Sequence, residues 1–200
     1  MSIGGMLALK MRRSIGVIAE DISDVEVIRA LLAKKAAGSP FTIDKFVGHG
    51  CGKIRGKCCQ WATTLSRQGC NFLIVLHDLD NKPLSQLSSD LRTALLPSPI
   101  SKHVIAIPVR SIEAWLLSDN AAIQRGVNLP NAPKEIPNPE AILNPKSKLR
   151  DIVFQKSEKK KHYLNTIHNP KIAREIRLAK LRAKCASFHP LDSFLSTVFT

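Results

Sequence analysis

The stretch NFLIVLHDLDNKP, residues 71–83, decides the fold. Its first half is the most continuous apolar run in the chain, short and bounded by Gly69 and by Asn81 and Pro83, which is the pattern of a strand buried on both faces. Such strands belong to parallel sheets, whose carboxyl ends share one edge where ligands bind. The run ends in two carboxylates, Asp78 and Asp80. Upstream, SIGVIAE (14–20) reads as a first strand ending in Glu20, and residues 21–38 as a helix with Val25, Ile28, Leu31 and Leu32 on one face and Gly38 as its stop. Residues 40–50 alternate apolar and polar as a second strand, and 53–69 continue as a helix up to Gly69. Downstream, SQLSSDLRTALL (85–96) predicts a helix, HVIAIPV (103–109) a fourth strand, and 111–126 one helix closed by Gly126. Strands alternating with helices make residues 1–126 an α/β domain with a mainly parallel four-stranded sheet flanked by helices.

From residue 127 the character changes. VNLPNAPKEIPNPEAILNP carries five prolines and reads as an irregular strap. Asn144-Pro145 and Asn169-Pro170 each have the form of an N-cap followed by proline in a first helical turn, so residues 127–200 are expected to be a strap and a basic helical extension packed on the domain. Between 144 and 184 there are thirteen Lys or Arg against three acids, which supplies ten of the chain's fourteen net positive charges. Lys146, Lys148, Arg150, Lys159, Lys160, Lys161, Lys171, Arg174 and Arg177 are the candidate phosphate contacts, since KSEKKKHY cannot neutralise itself. Phe188, Leu191, Phe194, Leu195 and Val198 recur at helical spacing and require a surface to dock on.

A formal charge of +14 points to a polyanionic partner such as nucleic acid, without separating DNA from RNA. No apolar run approaches the roughly 18–20 residues of a membrane span. In MSIGGMLALKMRR the basic residues follow the apolar stretch, so no signal peptide is read and a cytoplasmic location is expected. Five cysteines without C-x2-C spacing argue against a disulfide framework or a structural zinc site, and His49 with Cys51 is too few ligands for a soft metal.

Glu20, Asp78 and Asp80 therefore converge from distant sequence on one sheet edge. Close carboxylates repel unless a cation joins them, and hard oxygen ligands on an open site suit Mg2+ or Mn2+. Such a cation clamps a phosphate and stabilises charge developing in phosphoryl transfer. Arg110 and Glu113, following the fourth strand, either orient substrate or metal at that edge or form an ion pair at a helix start. Lys82 either reaches a phosphate or is a solvated loop residue.

VIAEDISD (17–24) followed two strand-helix units later by VLHDLD (75–80) resembles the TOPRIM domain of topoisomerases, primases and overcoming-lysogenization-defect nucleases, over roughly residues 12–120. IPVRSIEAWLLSD (107–119) and CASFHPLDSFL (185–195) are similar to an uncharacterised TOPRIM-related bacterial family, often encoded beside ATPases and linked to phage defence. The resemblance implies a Rossmann-like fold and a Mg2+-dependent nuclease, acting with a separate ATPase subunit as the effector of a defence system. It also implies Glu20 as metal ligand or general acid/base, Asp78 and Asp80 as metal ligands, and Asp24 in support. Asp21 departs from the pattern, standing where a glycine usually follows the first glutamate, and its added charge is either a further supporting ligand or a mark against the alignment. No Walker A motif occurs, so ATP hydrolysis would belong to another chain. A haloacid-dehalogenase-type phosphatase also uses D-x-D, but on its first strand, and a receiver domain needs a Lys-Pro after a fifth strand that is missing here. A non-catalytic subunit that binds nucleic acid or the ATPase remains the alternative.

Overall fold

The structure, a computed structural model, describes residues 13–48 and 51–199, and of Cys51 the backbone alone. All but Arg13 of the N-terminal stretch read for a signal peptide, and His49, lie outside the described residues. Four strands, β1 (Arg13–Ala19), β2 (Phe41–Val47), β3 (Phe72–Leu76) and β4 (His103–Ala106), form one all-parallel sheet in the order β2-β1-β3-β4. Helices α1 (Ile22–Ala36), α2 (Cys51–Arg67) and α3 (Leu84–Leu95) connect them. The expected α/β architecture with a flanked parallel sheet is present.

Side-chain alternation divides the core in two. Ile15, Val17 and Ala19 of β1 and Phe72, Ile74 and Leu76 of β3 join one buried cluster with α1, while Ile18, Leu73 and Val75 join another with Ile54 and Leu65 of α2 and Leu87 and Leu91 of α3. All five residues of β3 are buried, as a strand covered on both faces requires. Gly16 lets α2 lie close, since a Cβ there would stand 2.9 Å from Leu65 Cδ1.

The chain then adds α4 (Glu113–Leu116), α5 (Asn120–Val127), α6 (Pro145–Lys156), α7 (Asn165–Glu175), α8 (Leu178–Lys184) and α9 (His189–Phe199). These helices cover the α1 face of the sheet: Leu149, Val153, Tyr163, Ile172, Leu181, Leu191, Leu195 and Val198 belong to the same buried cluster as β1 and β3. The apolar stripe of α9 docks there, with Phe194 edge-on to Phe72 at 6.3 Å. No helix among the described residues is long and apolar enough to cross a membrane.

Three local expectations need correction. Residues 111–126 form two helices, because buried Asp119 accepts the Ala121 N–H at 3.2 Å and starts α5 afresh. Gly126 does not close the helix but lies inside α5, where a Cβ would meet the Ile172 backbone at 2.6 Å, so it allows α7 to pack closely. The helix ends at Asn128, in the left-handed region at φ 56°. Asn169-Pro170 does not start a helix either: α7 begins at Asn165, Pro170 is interior, and the Asn169 side chain is committed to a tertiary contact instead of a cap. Asn144 does occupy the N-cap position before Pro145, though its side chain makes no capping bond.

Candidate functional site

In the order β2-β1-β3-β4 the chain crosses from one side of β1 to the other, so β1 and β3 bracket the point where the winding reverses. Glu20 follows β1 directly and Asp78 lies two residues beyond β3, which places both at the carboxyl edge of that crevice. A cleft of about 370 Å³ opens there, and six carboxylates line it: Glu20, Asp21, Asp24, Asp78, Asp80 and Glu113. Arg110 lines it as well, whereas Lys82 does not; the Lys82 Nζ is enclosed without a hydrogen bond among the described residues.

Each carboxylate is held differently. Asp21 is the N-cap of α1, accepting from the Ser23 N–H at 2.8 Å, and Asp24 completes the capping box by accepting from the Asp21 N–H at 3.0 Å. Asp78 Oδ1 accepts from the Ile112 N–H at 3.0 Å, which ties the end of β3 to the start of α4. Asp80 sits in the left-handed region at φ 52° and its N–H donates to the Arg110 carbonyl at 2.9 Å. Arg110 itself has φ 63°, a conformation that a long side chain seldom adopts and that concentrates at functional sites. Its guanidinium donates to the Asp80 carbonyl at 3.2 Å and to Asn81 Oδ1, so it braces the acidic loop and forms no ion pair among the described residues. Glu113, 4% exposed, is likewise not an ion-pair partner; its Oε1 accepts from Asn169 Nδ2 at 3.2 Å, and the Tyr163 hydroxyl oxygen lies 3.2 Å from the same atom.

His77 supports the edge from beneath. It is fully buried, with Nδ1 2.8 Å from the Asp78 carbonyl and 2.9 Å from Glu20 Oε1. One ring proton cannot serve both acceptors fully, and Glu20 Oε1 remains an enclosed oxygen short of a donor. Burial disfavours the charged imidazole, but the Glu20 hydrogen bond and the Asp78 carbonyl prevail and hold His77 above its ordinary value. Burial and then the neighbouring carboxylates Asp24, Glu113 and Glu20 push Asp78 well above the carboxylate range. Asp24 is pushed up to about 7, by burial first and then by Glu113, Asp21 and Glu20 against the lowering bond from the Asp21 N–H.

Among the described residues no three His, Cys, Asp or Glu side chains stand together as a formed metal site. The donor chemistry nevertheless fits a hard divalent cation: oxygen ligands only, and mutual repulsion that a cation relieves.

The opposite wall is the first turn of α6. Asn144, Pro145, Lys146 and Ser147 all line the cleft, so a helix start and a lysine border the same space as the acids. Of the candidate phosphate contacts, Lys146 alone reaches the cleft, while Lys148, Arg150, Lys159, Lys171 and Arg174 are exposed elsewhere on α6, α7 and the loop between them. Lys160 pairs with Glu158 at 2.8 Å. Two of the set hold the fold: Lys161 Nζ donates to the Val127 and Asn128 carbonyls at 2.8 and 2.6 Å, and Arg177 clamps Asp119 with two bonds of 2.9 Å.

His77, Tyr163, Asn169 and Asn165, which lines the cleft, were not among the sequence candidates. A signal existed for His77 alone, an imidazole inside an otherwise apolar run. A family model described as a domain of unknown function (DUF4276) matches residues 19–196. No curated protein and no solved structure matches the chain.

Proposed function

The chain belongs to the family described as a domain of unknown function (DUF4276), and from the cleft we propose that it is a divalent-cation-dependent nuclease that cleaves nucleic-acid phosphodiesters. One observation carries this reading: carboxylates from the ends of β1 and β3 and from α4 meet in a single cleft whose other wall is the start of a basic helix. Glu20, Asp78 and Asp80 would hold Mg2+ or Mn2+, with Asp24 in support. When bound, such a cation polarises a phosphoryl oxygen and lowers the pKa of bound water. The chain's own residues prepare the rest. Lys146 and the N–H groups of the first α6 turn attract a phosphate across from the acids. Arg110 fixes the Asp80 loop, and His77 fixes Glu20. The exposed lysines and arginines of α6 and α7 contribute sequence-independent attraction to a polyanionic backbone. The similarity to TOPRIM nucleases agrees with this assignment and adds a separate ATPase subunit and a role in antiviral defence.

Cleavage of labelled DNA and RNA with Mg2+ or Mn2+ tests the proposal. Glu20→Gln, Asp78→Asn and Asp80→Asn are each expected to reduce the cation-dependent rate at least about a hundredfold, as loss of groups that stabilise transition-state charge does. Unchanged cleavage by these variants would remove the assignment. A second reading, a non-catalytic binding subunit, draws on the lack of a formed three-ligand cluster among the described residues. Nucleic-acid binding that is indifferent to divalent cations, with no cleavage of either substrate, would select it.

A further inference from the structure

We propose that Tyr163 and Asn169 are positioning residues that hold Glu113 as a cation-facing carboxylate of the cleft, making the C-terminal helical segment part of the site. The inference rests on reading the cleft as a divalent-cation site. Glu113 is 4% exposed and has no cationic partner among the described residues, so its charge must be met by hydrogen bonds or by something that enters the cleft. A carboxylate only accepts, so Asn169 must present its Nδ2 to Glu113 Oε1 at 3.2 Å. The Asn169 Oδ1 is thereby turned to the Tyr163 hydroxyl, which donates to it and lies 3.2 Å from the same Glu113 oxygen. The amide and the phenol are themselves 0% and 8% exposed.

The carboxylate is thus fastened by one oxygen, while Oε2 accepts no hydrogen bond among the described residues and Glu113 lines the cleft with Asp24 and Asp78. The fastening is stiff because Gly126 lets α5 approach the α7 backbone and because Asn165, at the start of α7, donates to Ser23 of α1 at 3.3 Å. A purely architectural contact would be served as well by a glutamine at 113, which keeps the shape and both kinds of hydrogen bond. A charge placed beside buried Asp24 and half-buried Asp78 is explained by a cation.

Mn2+ binding to the full chain, by calorimetry, with melting temperature in chelator recorded in parallel, tests this. Glu113→Gln should weaken Mn2+ binding at least about tenfold and raise the chelator melting temperature. Tyr163→Phe and Asn169→Ala should each weaken it roughly tenfold, the usual effect of removing a group that orients a ligand. In the Glu113→Gln background Tyr163→Phe should weaken Mn2+ binding no further, because its effect passes through that carboxylate. Wild-type affinity in Tyr163→Phe, or an equal loss in both backgrounds, would overturn the inference while leaving the cleft reading intact. A wild-type chain that binds no Mn2+ would overturn the cleft reading and the inference with it. Should Asn169→Ala fail to fold, Tyr163→Phe, which leaves the buried ring in place, decides alone.

Discussion

Asp24 and Asp119 are both aspartates at helix starts, both closed to solvent at 7% and 0% exposure, and they titrate in opposite directions. Burial pushes both upward. Asp119 escapes because Arg177 offers it two side-chain bonds of 2.9 Å and a backbone N–H at 3.2 Å, and its carboxyl is held down to about 2. Asp24 has a single backbone N–H from Asp21 and faces further acids, and its carboxyl rises to about 7. One region is electrically complete; the other is short of positive charge. A fold rarely leaves buried acids in that condition unless a ligand completes them, which separates the structural joint of α5 and α8 from the cleft.

Breaking the complete region should have the larger effect. Asp119→Ala removes the cap of α5 and strands Arg177. Because the guanidinium is 54% exposed, its loss of partner is partly made good by water. Together these predict a loss of about 3 kcal/mol, read as a lower urea midpoint with unchanged slope. Mn2+ affinity should be unaffected. A variant that melts like wild type would show that the joint contributes nothing and that the contrast with Asp24 is empty.

The cleft should respond to pH in the opposite sense. Between pH 5 and 7 the folded chain keeps the Asp24 proton that the unfolded chain, titrating near 3.8, has already released. The native state therefore binds more protons, and stability falls as pH rises, by about 2 kcal/mol over this interval in chelator. Asp119 contributes in the other direction and elsewhere, its stabilisation being complete above about pH 4 and lost as pH falls towards 2. Asp24→Asn should flatten the slope from pH 5 to 7, and saturating Mg2+ should flatten it in the wild type. A slope that survives Asn at 24 would assign it to Asp78 and His77, the other groups raised there, which likewise make stability fall with rising pH.

The contrast also explains which parts of the molecule could be read from the chain. The unbroken apolar run of β3 and the acids at strand ends were legible, because strand period and sheet polarity are local rules that place Glu20 and Asp78 at one edge whatever lies around them. Partners were not. Asn169 before a proline has the local form of a helix cap, and only the packing of α7 on α1 and α5 brings it to Glu113. Tyr163 ends KSEKKKHY, a run that reads as a basic surface for phosphate contact. Arg177 and Lys161 count as surface charge in the sequence, yet Asp119, 58 residues away, and the end of α5 claim them. Pairing across long loops carries no periodic signal, so charge can be counted from sequence but not assigned.

That division among the basic residues gives the smallest and most specific test. Lys146 and Arg177 carry the same charge and both are exposed at the surface, but Lys146 lines the cleft without a partner among the described residues, and Arg177 is committed to Asp119. A lysine that meets a phosphate releases a counterion on binding, so Lys146→Ala should weaken nucleic-acid affinity only about three- to fivefold while lowering the salt slope by about one. Arg177→Ala should leave that slope unchanged and lower the melting temperature instead, since the charge it removes was already neutralised by Asp119. Measuring affinity across a salt series for the two variants distinguishes charge available to a ligand from charge already used by the fold. Equal slopes for both would mean that proximity to the cleft confers no phosphate contact on Lys146, and that the first turn of α6 is a wall of the cleft and nothing more.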